Sequence, residues 1–356
     1  MALRQRWPRV SRHQPCPICG KADWCQISPD GRVAACMRVP EGAAKVGTLE
    51  SGHPCYYHRL SESAPPPAPA PPRVNVAPFD LHQARALYAA IAAACAAELP
   101  ASARQDLAAR FGPHAGEVIA RFGIGYCPAG DWLPGQLCRA GWRDPAIRAG
   151  VVTPGGETVN SLAGRLVIPY RRGGEVWDLR GAGIKGAGQS GEQNLHGTYH
   201  ERQVAALFFN HDALDALGAG GTIHLAGGAW KTIALALAGL PAIGTRGEGE
   251  LSDAQIADLL ARQVGEVVLH VDAEDPKPGR PLSEGRRLGL HKARRLRDAG
   301  LTVRVAEPPR EPGTPKVDPD ALLRDHGPAL LRAIAVGAPP LDAWERAIGV
   351  GEGGTA

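Results

Sequence analysis

Two groups of residues have the types and spacing to do chemistry. The first is Val267-Val268-Leu269-His270-Val271-Asp272-Ala273-Glu274-Asp275-Pro276, an apolar run that ends in three carboxylates and a proline. A short buried strand presenting acids at its C-terminal end is how an open α/β sheet offers oxygen ligands to a hard cation such as Mg²⁺. The acid-x-acid spacing is met by Asp272 and Glu274, or displaced to Asp275, and Lys316-Val317-Asp318-Pro319-Asp320 brings two more acids downstream. A merely capped strand end has no use for so many carboxylates, so the pattern points to phosphate chemistry.

The second group is Cys16-Pro17-Ile18-Cys19-Gly20, which sets two thiolates on one tight turn, with Gly20 permitting the backbone to turn amides toward sulfur. A tetrahedral site needs two more ligands. Cys36 is the third, because the hairpin pattern over 26–33 returns the chain to the first knuckle. Cys25, close in sequence, and His58 compete for the fourth place. A redox pair is the weaker reading, since Pro17 and Ile18 separate the thiols and no thioredoxin-like βαβ pattern flanks them. The metal expected is zinc, and a module this small can hardly fold without it.

The elements that position these groups follow from composition and rhythm. At 356 residues and 44% hydrophobic content the chain has material for two or three globular domains. The net charge of +4 is too small to argue a polyanion partner, but residues 1–60 hold nine Lys/Arg against four acids. The N-terminal stretch shows no apolar export signal and no uninterrupted span of membrane length, so a cytoplasmic location with no membrane partner is expected. The eight cysteines then read as thiols or metal ligands. Ser63-Ala64-Pro65-Pro66-Pro67-Ala68-Pro69-Ala70-Pro71-Pro72 reads as a spacer. Helical patterns follow over 80–99 and 102–111, while 113–160 resists assignment. Residues 164–170 and 175–180 read as a hairpin. From 205 onward strands (222–226, 242–244, 267–271, 302–305) alternate with helices (229–237, 252–263, 286–299), which predicts parallel βαβ crossovers. One further helix over 328–334 precedes a Gly-rich end read as flexible.

Gly164-Arg165-Leu166-Val167-Ile168-Pro169, Trp177-Asp178-Leu179-Arg180-Gly181, Leu207-Phe208-Phe209-Asn210 and the βαβ block from Ile223 to Leu323 resemble the catalytic core of bacterial and phage-type DNA primases, which includes a TOPRIM domain. Cys16 to His58, with Trp24-Cys25 and Cys36-Met37-Arg38, is similar to the zinc module of phage and plasmid primases. The resemblance covers most of the chain, least over 80–160. It implies an α/β fold with a zinc-ribbon β module (1–61), a Pro-rich linker (62–78), a helical and β primase-core subdomain (79–204), a Rossmann-like TOPRIM sheet flanked by helices (205–327) and a C-terminal helix with a flexible tail (328–356).

By the same resemblance, the catalytic acids fall on Asp272, Glu274, Asp275, Asp318 and Asp320, with Asp272, Glu274 and Asp318 holding Mg²⁺ or Mn²⁺. Joining nucleotides needs charge on the pentacovalent phosphate neutralised, which two metals about 3.5–4 Å apart achieve. Arg165, Arg180, Lys185 and Lys231 take the basic positions that contact template and nucleotide, and Cys16, Cys19, Cys25 and Cys36 hold structural Zn²⁺. The implied partners are single-stranded DNA and ribonucleoside triphosphates. No Gly-x-x-x-x-Gly-Lys-Ser/Thr loop occurs, so a separate replicative helicase is implied, in phage or mobile-element replication. One departure stands out. The family sets a glutamate after the first TOPRIM strand, but Leu225-Ala226-Gly227-Gly228-Ala229-Trp230-Lys231 puts Gly227 there. Glu248 and Glu250, after the next strand, are the residues that could substitute, and without them the chain reads as a catalytically degenerate nucleic-acid-binding protein. Six basic residues on 286–297 read as a solvated helix face.

Overall fold

The computed structural model describes residues 7–11, 14–28, 30–48, 54–60, 81–153, 155–184, 192–194, 206–246 and 251–350. The chain divides into two compact units, Met1–Val76 and Ala77–Ala356. The Pro-rich stretch, Lys185, Glu248 and Glu250 lie outside the described residues.

In the first unit, β1 (Gln26–Ile27), β2 (Val33–Cys36), β3 (Lys45–Thr48) and β4 (Pro54–Arg59) form an antiparallel sheet in the order β1-β2-β4-β3. The expected hairpin is there, with Gln26 opposite Ala35 and Ile27 opposite Ala34. The core cluster among its described residues holds Val10, Cys16, Cys25, Ile27 and Cys36. Three of those five are thiols, so apolar burial alone gives this unit little stability.

In the second unit, α1 (Leu81–Ala97), α2 (Ala101–Phe111) and α3 (Ala115–Phe122) precede β5 (Gly125–Cys127), α4 (Trp132–Arg139) and α5 (Arg143–Arg148). The stretch that defied assignment thus holds short helices and one strand, too brief for a periodic signal. An antiparallel sheet follows, β5-β6-β7-β8, in which β6 (Arg165–Arg172) and β7 (Glu175–Ala182) make the predicted hairpin and β8 (Glu192–Asn194) forms an edge. After the one-turn α6 (Asp212–Asp215) come β9 (Thr222–Ala226), α7 (Ala229–Leu237), β10 (Ala242–Gly244), α8 (Asp253–Ala261), β11 (Glu266–His270), α9 (Glu284–Asp298) and β12 (Thr302–Ala306). These four strands are parallel, in the order β10-β9-β11-β12.

The sheet is buried on both faces, which is why its strands read as nearly continuous apolar runs. Ile223, Leu225, Val267, Leu269, Val303 and Val305 pack against α8 and α9. Ala226 and Ala242 join the opposite core, which runs through α7 into α2, α3 and the antiparallel sheet. That core crosses the expected boundary near residue 204, so the two subdomains share one interior. Three helices close the chain: α10 (Pro319–His326), α11 (Pro328–Val336) and α12 (Leu341–Ala347). The last lies where a flexible tail was expected. Trp344 anchors it, 3% exposed, with its indole N–H donating to Glu307 at 2.8 Å, and Glu345 accepts from Arg294 at 2.7 Å.

Candidate functional site

Strand order reverses direction between β9 and β11, so the crevice at their carboxyl ends is where an α/β sheet of this kind gathers ligands. Two connections meet there. One follows β9 through Gly227 and Gly228 into α7, and the other follows β11 through Asp272 to Asp275. A third segment joins them: Ala273 and Val317 exchange backbone hydrogen bonds at 3.1 and 2.9 Å, which draws 316–320 alongside 272–274. The acids from around 272 and those from around 318 therefore share one corner.

Asp272 sits at its centre, 5% exposed. Its Oδ2 accepts from Lys231 Nζ at 2.7 Å and from Lys316 Nζ at 2.5 Å. Burial pushes this carboxyl up, but the two ammonium groups outweigh that and hold it below the usual carboxylate range. Its Oδ1 is buried with no hydrogen-bond partner. Glu274 turns back to accept from the Gly285 amide at 2.9 Å, at the start of α9. Asp275 faces away, paired with Arg310 and accepting from the Gly313 amide at 3.0 Å. Asp318 caps α10 by accepting from the Ala321 amide at 3.1 Å. Burial, with Asp320 and Asp272 as neighbouring negative charges, pushes its carboxyl up to about 6. Asp320 pairs with Arg110 of α2 at 3.1 Å. Asp272, Asp318 and Asp320 are thus brought together, whereas Glu274 and Asp275 are held to neighbouring backbone and arginine.

The basic positions fall differently. Lys231, one turn into α7, reaches Asp272. Arg180 is 2% exposed and donates to the Tyr170 hydroxyl at 3.1 Å and to the Arg246 carbonyl at 2.7 Å. Arg246 in turn meets Asp178 at 3.2 Å, so this arginine holds the loop after β10 in place. Arg165 is 5% exposed and donates from Nε to the Asn160 carbonyl at 3.0 Å. Sequence reading missed Lys316 as a partner of Asp272 and Arg110 as a partner of Asp320. The first was adjacent to the acid motif; the second is more than two hundred residues from its partner and left no local signal.

In the first unit the Sγ atoms of Cys16, Cys19, Cys25 and Cys36 all lie within 4.8 Å of one another. Gly20 takes a left-handed φ of 68°, and its amide bonds the Cys16 carbonyl at 2.8 Å, closing the knuckle. Burial raises the Cys25 thiol to about 12, whereas at Cys19 burial also pushes upward but the Lys21 amide, the Cys16 and Cys25 thiols and Arg38 together outweigh it and lower that thiol to about 7. Arg38 lies 3.9 Å from the sulfurs of Cys19 and Cys25. His58 hydrogen-bonds the Val39 carbonyl through Nε2 at 2.9 Å and stands outside the thiol cluster. Four soft donors at mutual tetrahedral range suit zinc. At the acid corner the fit to Mg²⁺ is narrower. The orphaned Asp272 Oδ1 suits a hard cation, but among the described residues the four cysteines are the only group of three or more metal-capable side chains with converging donors. No single helix among the described residues is long and apolar enough to cross a membrane.

No protein-family model matches the chain. No curated protein matches it either. Solved structures do. The RNA polymerase domain of Mycobacterium tuberculosis primase DnaG, in complex with a double-stranded DNA oligomer with a 6-nucleotide overhang, is similar at TM-score 0.61 and 22% identity, over 75% of this chain and 83% of that one. A DnaG primase catalytic domain bound to ssDNA is similar at TM-score 0.58 and 24% identity, over 75% and 82%. The zinc-binding and RNA polymerase domains of Aquifex aeolicus primase are similar at TM-score 0.61 and 19% identity, over 74% and 62%. At these identities the likeness is one of fold: over about three quarters of its length the chain is folded like a primase catalytic core.

Proposed function

We propose that this chain is a primase-like replication protein that binds single-stranded DNA and joins ribonucleotides into short RNA primers at the corner between β9 and β11 of a TOPRIM domain. The observation that carries the reading is the convergence of the Asp272 and Asp318 segments at the carboxyl end of the parallel sheet, tied by the Ala273–Val317 pair. Likeness to primase domains solved with DNA supports the template, and the four-cysteine cluster supports a zinc module that helps hold it. Asp272, Glu274 and Asp318 would hold Mg²⁺ or Mn²⁺, which supplies charge neutralisation for triphosphate oxygens when bound. Arg165 and Arg180 act by fixing the strands and the loop after β10 that frame the corner, and Lys231 keeps Asp272 ionised. The protein works in the cytoplasm with a separate helicase, in a phage or mobile-element replicon.

A second reading is favoured by Gly227, which supplies neither ligand nor proton acceptor, and by the two lysines already on Asp272. In it the corner no longer catalyses and the protein binds nucleic acid alone. A labelled-ribonucleotide primer assay on single-stranded DNA, comparing the natural chain with Gly227→Glu, separates the two. Primers from the natural chain, lost in Asp272→Asn, support the enzyme. Primers only after Gly227→Glu support the silent form, and zinc-dependent DNA binding with no primers from either does the same.

A further inference from the structure

We infer that the cavity between the end of α3, the end of β6 and the start of α6 binds a phosphorylated ribonucleoside, at a site separate from the acid corner. The inference goes beyond the polymerase reading and does not depend on it. The cavity measures about 200 Å³. Helix α7 sets it apart from the corner: Lys231 in its first turn reaches Asp272, whereas the Ala236 carbonyl in its last turn accepts from Arg121 of the cavity wall at 3.4 Å. Three backbone features shape the space. The pairing of β6 with β7 shifts register between Tyr170 and Arg171, and such a bulge re-aims a side chain. Tyr170 stays in the core, and Arg171 lines the cavity. Gly123, just after α3, takes a left-handed φ of 65°, and a Cβ there would stand 2.9 Å from Arg171 Nη2. Glycine thus keeps room for that guanidinium. Asn210 is also left-handed, at φ 56°, and its Nδ2 donates to the Ala242 carbonyl at 2.7 Å. A residue other than glycine takes that conformation at a cost, so the wall is built and not slack.

The chemistry of the lining selects the ligand. Arg171 is half-buried and has no hydrogen-bond or ion-pair partner among the described residues. Arg121 meets Glu117 of its own helix at 3.7 Å, but both side chains are about half exposed, and such a pair contributes little. Two guanidiniums from separate elements suit a phosphate, whose oxygens accept forked donors. Asp212 is the one acid of the lining, and its Oδ1 accepts from the Gly173 amide at 2.6 Å. Its other oxygen would repel a bare phosphate but accepts readily from a hydroxyl. A ligand that suits both signs carries a phosphate and hydroxyl donors together, as a ribose phosphate does. Phe122, Pro169 and Phe209 supply the apolar wall that a flat base needs, with the two rings 5.8 Å apart.

The test is isothermal titration calorimetry on the zinc-loaded full chain with no added divalent cation, so that nucleotide bridged by such a cation is not counted. The probes are AMP, dAMP, adenosine, inorganic phosphate and a 5′-phosphorylated RNA trinucleotide. AMP is expected to bind at one site, with adenosine and inorganic phosphate at least about tenfold weaker and dAMP less tight than AMP. Arg171→Gln is expected to lower AMP affinity at least about tenfold. Arg121→Gln, at an exposed side chain, should lower it severalfold, and it decides should Arg171→Gln not fold by circular dichroism. Asp212→Asn should bring AMP and dAMP to equal affinity. Lys316→Ala, at the acid corner, should leave AMP binding unchanged. A trinucleotide bound more tightly than AMP identifies the ligand as an RNA end, and the reverse order identifies a free mononucleotide. No AMP binding by the natural chain would overturn the proposal. So would natural AMP affinity in both arginine variants, loss of AMP binding in Lys316→Ala, or inorganic phosphate bound as tightly as AMP.

Discussion

Asp318 carries the clearest pH signature in the molecule. Its folded carboxyl is pushed up to about 6 by burial and by Asp320, above its value in an unfolded chain. A carboxyl raised on folding prefers to be protonated there, so it costs nothing in acid. The cost grows as pH rises from the unfolded value near 4 and is complete above about 6. Asp318→Asn keeps a good helix cap and removes the charge. It is expected to raise stability by about 1–2 kcal/mol at alkaline pH and to change little in acid, measured by urea unfolding across pH. Equal shifts at both ends would show that the carboxyl titrates normally. A second residue-scale prediction separates the two histories of the fourth zinc ligand. Cys25→Ser should empty the thiol cluster of zinc by metal analysis, whereas His58→Gln should retain it, because His58 is engaged with the Val39 carbonyl. Retained zinc in Cys25→Ser would sink the four-thiol assignment. Residue chemistry was legible where ligands are close in sequence, as with Cys16, Cys19 and Cys25. It was not legible where function depends on a partner folded in from afar: nothing near Lys231 announces that Asp272, some forty residues on, will take its ammonium.

At the scale of elements, the corner depends on how closely α9 approaches the loop after β11. The Gly285 amide meets Glu274, and a Cβ on Gly285 would stand 2.6 Å from the Asp272 carbonyl oxygen and 3.1 Å from its Cβ. Only glycine allows that approach. Gly285→Ala is therefore expected to cost about 1–3 kcal/mol by pushing the helix off the acid loop, read as a lower urea midpoint. It should also weaken any cation binding at Asp272, and an unchanged midpoint would mean that the helix shifts freely. The start of α8 is independent of the corner: Ser252 and Gln255 form a reciprocal capping box, so Ser252→Ala should cost about 1 kcal/mol with no effect on nucleic-acid binding. Elements were readable where the pattern was long or the strand was buried on both sides. The apolar runs of β9 and β11 and the hairpin of β6 and β7 came directly from sequence. The helix α12 did not, because seven residues between Gly and Pro carry too little periodicity, and its docking relies on Trp344 reaching Glu307. Strands β3 and β4 were missed because four and six residues carry too little alternation, although the two pair with each other and β4 also pairs with β2.

For the whole molecule, the division into two units makes a prediction about how stability is distributed. The first unit has a small core in which Cys16, Cys25 and Cys36 take the place that leucines and valines fill elsewhere. Without a metal those thiols are weak partners, and the raised Cys25 thiol must lose its proton to a cation before the cluster can tighten. The second unit buries two large apolar clusters that share the parallel sheet, and no cysteine of the thiol cluster contributes to either. Removing zinc with a chelator and a thiol-blocking mercurial should therefore abolish only the first unit's melting transition in calorimetry. The transition of the second unit should keep its midpoint, because the sheet, the acid corner and the closing helices draw nothing from the metal. Under the proposed function, DNA affinity falls with the zinc while any Mn²⁺ bound at Asp272 stays. A common loss of both transitions on chelation would mean that the two units fold as one cooperative body, and the thiol module would then be a structural part of the acid corner and not a separate hand on the template.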